Sequence, residues 1–114
     1  MKQSNIFKIT TSYKTFHIPC ADIVRIKANS NYSFLFFSNG KTLVVSKVLH
    51  SLEAQLDSLN FIRVHSSHLV NVDHIAHFCF TKKLQVFLKD KIIIEIARRK
   101  KKEIQRRFED GLAA

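Results

Sequence analysis

Residues 23–45 read IVRIKANSNYSFLFFSNGKTLVV, and their pattern decides the fold class. Val24, Ile26 and Ala28 alternate with Arg25 and Lys27, the period-two arrangement of a strand with one face buried. Asn29, Ser30 and Asn31 follow, short polar residues whose side chains bond to nearby backbone and so favour turns. Residues 32–38 then form a second strand-like run and 41–45 a third. Asn39-Gly40 between them predicts a type I′ hairpin, because both residues tolerate positive φ.

Outward from this hairpin the chain continues in short alternating or apolar segments. Residues 6–10 and 13–18 precede it; 68–70, 75–80, 84–89 and 92–96 follow, with Asp90-Lys91 as a second tight connection. One helix, over 47–59, interrupts the series. Ser46 is its expected N-cap, and Val48, Leu49, Leu52, Leu56 and Leu59 form one apolar stripe. A final helix over 98–109 sets Ile104, Phe108 and Leu112 four residues apart, with its other faces basic. The expectation is a mainly β fold of small antiparallel sheets, one packed α-helix and a short basic C-terminal helix. No repeat or linker divides residues 1–114, which read as a single domain. Helices separated by strands cannot make a helix-turn-helix, which needs two in succession. Any nucleic acid must therefore be met by strands and loops.

Composition narrows the function. The formal net charge of +10 and a pI near 10.0 favour polyanionic partners, nucleic acid or anionic lipid. Two glycines in the whole chain leave no Gly-rich phosphate loop. No apolar run approaches the roughly 18 residues of a membrane span, and residues 1–11 lack the apolar core of a signal peptide. A cytoplasmic setting is expected, with Cys20 and Cys79 as free thiols. Cys20 follows Pro19 with no evident base, and Asp22, Asp73 and Asp90 sit at strand ends where turn roles suffice. The reading is of a protein that is not an enzyme and has no cofactor or small-molecule substrate. His65-x-x-His68 and His74-x-x-His77, with Cys79, contain zinc-ligand types. Residues three apart on a strand face opposite ways, so no metal site is expected.

The strongest charge asymmetry lies at 98–107, RRKKKEIQRR, where seven Lys/Arg meet one acid, leaving +4 for the rest of the chain. Cations concentrated on one element displace counterions from a phosphate backbone. A solvated helix face would look the same. Arg98 and Arg99 leave an apolar strand at a fixed place, and Arg bridges guanine O6 and N7 better than Lys does. They are the base-reading candidates, with Lys100, Lys101 and Lys102 assigned to phosphates.

Phe61–Ile75, FIRVHSSHLVNVDHI, resembles the signature of the LytTR DNA-binding domain of bacterial transcriptional regulators. Arg63, His65, Ser67, Val70, Asn71 and Ile75 fall on its pattern at the right spacing. Upstream, residues 23–28 followed by Asn31-Tyr32 look like the family's strand and loop. The Leu-rich helix and the strand-to-basic passage at 94–101 match too, so the resemblance spans about residues 18–108. It implies an elongated β scaffold of response-regulator-like proteins whose loops enter successive major grooves of double-stranded DNA. Two copies would occupy paired repeats and bend the duplex.

By position, the resemblance gives Asn29, Asn31, Tyr32 and Ser33 to the first reading loop, Ser66 to the middle one, and Arg98, Arg99, Lys100 and Lys101 to the last. Arg63 is expected on phosphate, His65 in a structural or phosphate role, and Asn71 in a turn. The chain departs from the pattern at Ser66 (usually Arg or Asn), His68 (usually Tyr or Phe), Ala97 (commonly Ser) and Lys27 (often acidic). Two other functions fit the composition. A basic module could dock through 98–107 on membrane or an acidic partner, using Ile104, Phe108 and Leu112. Single-stranded nucleic acid could stack on exposed Phe side chains, although most of the ten Phe are expected to be buried.

Overall fold

The computed structural model describes the backbone of residues 6–56 and 60–112, and side chains as far as Phe108. The described chain runs β1 (Ile6–Thr10), β2 (Thr15–Pro19), β3 (Ile23–Asn29), β4 (Tyr32–Phe37) and β5 (Thr42–Val45), then α1 (Leu49–Gln55). After it come β6 (Phe61–His65), β7 (His68–Asn71), β8 (Ile75–Cys79), β9 (Gln85–Leu88), β10 (Ile93–Glu95) and α2 (Lys101–Leu112). All pairings are antiparallel. They form a β1-β2 hairpin, a central five-stranded sheet ordered β5-β4-β3-β7-β6, and a three-stranded sheet ordered β10-β9-β8. The expected mainly β architecture is what the chain adopts.

The central sheet is sandwiched. On one face Ile23, Ile26, Leu35, Val45 and Leu69 pack with Phe7, Ile9 and Ile18 of the hairpin, with Leu49 and Leu52 of α1 and with Leu56 at its C-cap. On the other, Val24, Ile62, Val64 and Val70 pack with Val86, Leu88, Ile94, Ile96 and, from α2, Ile104. Strands covered on both faces lose strict alternation, so Ile23-Val24, Phe61-Ile62 and Leu69-Val70 are buried in adjacent pairs. This corrects the grouping of Val24 with Ile26 and Ala28. A bulge between Ile23 and Arg25 sends Val24 into the second core, since one extra residue reverses which face a side chain meets. The double covering also blurs β6, on which Arg63 and His65 were expected but whose bounds alternation does not mark.

Both hairpin turns differ from the two-residue form. Phe37 N–H donates to the Lys41 carbonyl and Gly40 N–H to the Phe37 carbonyl, each at 2.9 Å. Gly40 has φ +90, whereas Asn39 is not left-handed. This is a three-residue loop with one left-handed position, not type I′. Leu88 and Ile92 repeat it at 2.9 Å, with Lys91 at φ +75 in the glycine's place. Asn39 Oδ1 accepts from Lys41 N–H at 2.9 Å and Asp90 Oδ1 from Ile92 N–H at 3.1 Å, which is why an amide or carboxylate precedes the left-handed residue in both.

Helix α1 starts later than the sequence suggested. Val48 is its N-cap, with no side-chain cap bond, because β5 pairs as far as Val45 and Ser46-Lys47 are consumed in leaving the sheet. Leu49, Leu52 and Leu56 are buried as expected, but Val48 is exposed; Leu59 lies outside the described residues. The basic tail opens as a 3₁₀ turn, Arg98–Lys100, before α2. Of the Phe side chains only Phe7 and Phe61 are fully buried and the other eight are half-buried, fewer buried than expected.

Candidate nucleic-acid interface

Antiparallel order brings the end of β3, the start of β4, the end of β5, the end of β6 and the start of β7 to one edge of the central sheet. Two backbone bonds across the turns fix what lies there. Ala28 N–H donates to the Ser67 carbonyl at 2.9 Å, and Ala97 N–H to the Val64 carbonyl at 2.8 Å. The 29–32 loop, the 65–68 turn and the junction that begins α2 therefore stand side by side, though up to about 70 residues apart in the chain. A third bond, Ile96 N–H to the Leu84 carbonyl at 2.8 Å, adds the 81–84 turn to this row.

The residues expected here divide into those presented and those consumed. Asn29 and Asn31 are exposed, and Tyr32 is 51% exposed. Asn29 pairs with Tyr32 across a two-residue loop in which Ser30 alone is left-handed, at φ +60, the pattern of a type II′ turn. Ser33 is buried and its hydroxyl donates to the Lys47 carbonyl at 2.6 Å. Its side chain fastens the loop to the end of β5 and cannot reach a groove, so Ser33 leaves the contact set.

Arg63 leaves it too. Its Nε donates to the His65 carbonyl at 3.0 Å and one terminal nitrogen to the Ser66 carbonyl at 2.7 Å. The other terminal nitrogen meets Glu53 Oε1 of α1 at 2.6 Å. A guanidinium fork satisfied on all three nitrogens is a brace for the 65–68 turn, in place of the expected phosphate contact. His65 completes the brace, its Nδ1 accepting from Ser67 N–H at 3.1 Å. Ser66 is left exposed at the tip. Arg98 and Arg99 are exposed on the 3₁₀ turn, and no ion pair engages them among the described residues. Lys100 lies 3.6 Å from Glu103, a surface pair too weak to withhold it from a stronger anion, and Lys101 is half-buried.

Asn71 sits at the opposite edge, buried, and works as expected. Its amide donates to the Cys20 and Ile23 carbonyls at 3.2 and 2.8 Å and its Oδ1 accepts from Asp73 N–H at 2.9 Å. His65 and His68 do not face apart as expected, because the turn between them makes them cross-strand partners. Their ring centroids are 5.5 Å apart. His68 Nδ1 is buried without a hydrogen-bond partner. Burial first, then the neighbouring charges of His65, Arg25 and Lys27, push its pKa down to about 4. A neutral imidazole among cations is a poor start for a metal site, and no group of three or more His, Cys, Asp or Glu converges among the described residues.

Lys82 and Lys83, on the 81–84 turn, belong to this row and were missed from sequence. Two consecutive lysines between strands look like any solvated turn; the register of the β9–β10 hairpin, which sets Leu84 opposite Ile96, reveals their neighbours.

The β framework spends its interior polar groups on bracing a row of loops and leaves amides and arginines exposed on them. The family model described as the LytTr DNA-binding domain matches residues 13–109, and the chain belongs to the LytTR family. It is thereby a DNA-binding domain of transcription regulation, in a family that is not enzymatic. Among solved structures, the chain is similar to the LytTr DNA-binding domain of a putative methyl-accepting/DNA response regulator from Bacillus cereus. The TM-score is 0.74 at 17% identity, over 92% of this chain and 96% of that one. Comparison with curated protein sequences returned no match.

Proposed function

We propose that the domain binds duplex DNA sequence-specifically, reading successive major grooves with loop 29–32, Ser66, and Arg98 with Arg99, as two copies on paired repeats. The observation that carries this is the pair of backbone bonds, Ala28–Ser67 and Ala97–Val64, which aligns the three loops on one sheet edge. The arginines beside them are in no ion pair among the described residues. In this reading Arg98 and Arg99 discriminate bases, while Lys100 and Lys101 hold phosphates and set register.

Membrane docking through the tail loses two of its three expected apolar residues; the side chain of the third, Leu112, lies outside the described residues. Ile104 is fully buried in the second core and Phe108 packs against the same cluster, 4.9 Å from Phe78.

Selection from a random duplex library is the test. Recovery of a motif in two similar half-sites is the expected result. Equal retention of every duplex, with heparin or anionic vesicles bound as well at low salt, overturns the proposal.

A further inference from the structure

Beside the strand-to-helix junction lies a polar cleft of about 530 Å³, walled by the 81–85 turn on one side and by Glu95, Ile96, Arg98 and Lys101 on the other. Four cations, Lys82, Lys83, Arg98 and Lys101, line it against one acid, Glu95. None of the four is in an ion pair among the described residues. Like charges gathered in one concavity repel each other, and a concave wall focuses their field on whatever enters. The comparably sized cleft between β2 and the β4–β5 hairpin, about 490 Å³, is different. Phe16, Ile18, Pro19, Phe37 and Leu43 line it, and its charges, Asp22 and Lys41, cancel. Of these two clefts only the first gathers unbalanced cations.

We infer that this cleft is a phosphate-binding site, in which Lys82 and Lys83 hold a backbone phosphate of the duplex flanking the bases reached by Arg98 and Arg99. The inference rests on the DNA-binding reading and extends it to a turn that reading does not use. The continuity is physical: the Ile96–Leu84 bond sets the 81–84 turn against the strand whose exit carries Arg98. A phosphodiester offers two anionic oxygens and no donor, which suits ammonium groups acting as point charges. Such contacts carry no base information and fix position only. Glu95 opposes the phosphate and moderates the site.

The test compares the salt dependence of duplex affinity in the wild-type chain, in Lys82→Gln/Lys83→Gln, and in the charge-matched control Lys14→Gln/Lys41→Gln. All four substituted lysines are exposed, so the variants retain the fold. Each phosphate contact contributes about 0.9 to the slope of log affinity against log salt. The cleft variant should lose about 1 to 2 from that slope, weakening every sequence alike, while the control keeps the wild-type slope. Glu95→Gln should act in the opposite sense, tightening binding. In parallel, inorganic phosphate titrated into the labelled chain should shift the amides of 81–85 and 95–101, and fail to do so in the cleft variant. An unchanged slope in Lys82→Gln/Lys83→Gln, with wild-type binding intact, overturns the inference and leaves the DNA-binding reading standing. If phosphate shifts those amides while the duplex slope is unchanged, the site serves a free anion and the duplex assignment is overturned. A wild-type chain that binds no duplex sinks both.

Discussion

The two edges of the central sheet use polar residues in opposite ways. At the far edge, where β3 and β4 meet Asn71, polar groups are closed on one another. The Asn71 amide takes two carbonyls, Ser38 N–H donates to the Asp22 carbonyl at 2.9 Å, and a ring nitrogen of His74 meets the Ala21 carbonyl at 2.9 Å. At the loop edge, Arg63, His65 and Ser33 are closed in the same manner, but outside them stand the side chains of Asn31, Ser66, Arg98 and Arg99, which have no hydrogen-bond or ion-pair partner among the described residues. The lesson is that burial separates scaffold from contact more reliably than residue type. Arg63 and Arg99 are both arginines beside the same turn, and only the second is available.

That contrast, and the turns beside it, can be probed in five places. The largest effect should come from Asn71→Ala at the far edge. It strands two carbonyls and a backbone N–H in the interior and should cost about 3 kcal/mol in urea unfolding. DNA affinity, measured well below the melting temperature, should be unchanged. At the loop edge the effect should have the reverse character. Arg99→Ala should leave stability nearly untouched and reduce discrimination between best and random duplexes by about 1–3 kcal/mol, the range of a bidentate guanine contact. Equal selectivity in a competition gel shift would remove Arg99 from the base-reading set.

His68 gives a smaller effect with a definite sign. Its folded pKa, about 4, lies below the ordinary value near 6.5, so between those values the unfolded chain binds more protons. Stability should therefore fall as pH drops from about 6.5 towards 4. His68 is only about half buried, so solvent screening holds its share to roughly 1–2 kcal/mol. His68→Phe, which also removes the unpartnered Nδ1, should raise stability at pH 7 and flatten this part of the profile. A profile as steep as wild type would assign the acid sensitivity elsewhere. The smallest effect is expected at Lys91, whose φ of +75 is strained for a residue with a Cβ. Lys91→Gly should stabilise by up to about 1 kcal/mol, the strain relieved being partly offset by glycine's greater freedom when unfolded. Gly40, at the equivalent position of the other loop, should lose stability on substitution by Ala for the same backbone reason.

Much of the fold was legible because its signals are local. Alternation marked β1, β3, β4 and β9 to within a residue or two, and Asn39-Gly40 and Asp90-Lys91 marked the turns, although not their type. The failures share one cause. The bulge at Val24, the buried pairs in β6 and β7, and the facing of His65 and His68 all depend on what covers a strand or where it reverses, and period-two reasoning assumes one covered face and no reversal. Within the candidate site, Asn29, Asn31, Tyr32, Ser66, Arg98 and Arg99 were picked out from sequence and stand on one edge, whereas Ser33 and Arg63 were picked out and turned inward.

Charge, apolar periodicity and the 61–75 pattern are properties of residue order, so the chain by itself determined that this is a basic, strand-rich member of a DNA-binding family. Which cations remain available was decided only on folding. A guanidinium or hydroxyl satisfied inside the protein gains little by turning to a phosphate, and whether it is satisfied depends on partners such as Glu53 and Lys47 that no local pattern brings near. The gathering of Lys82 and Lys83 with Arg98 is closer to the sequence, because the register of the β9–β10 hairpin sets Leu84 opposite Ile96.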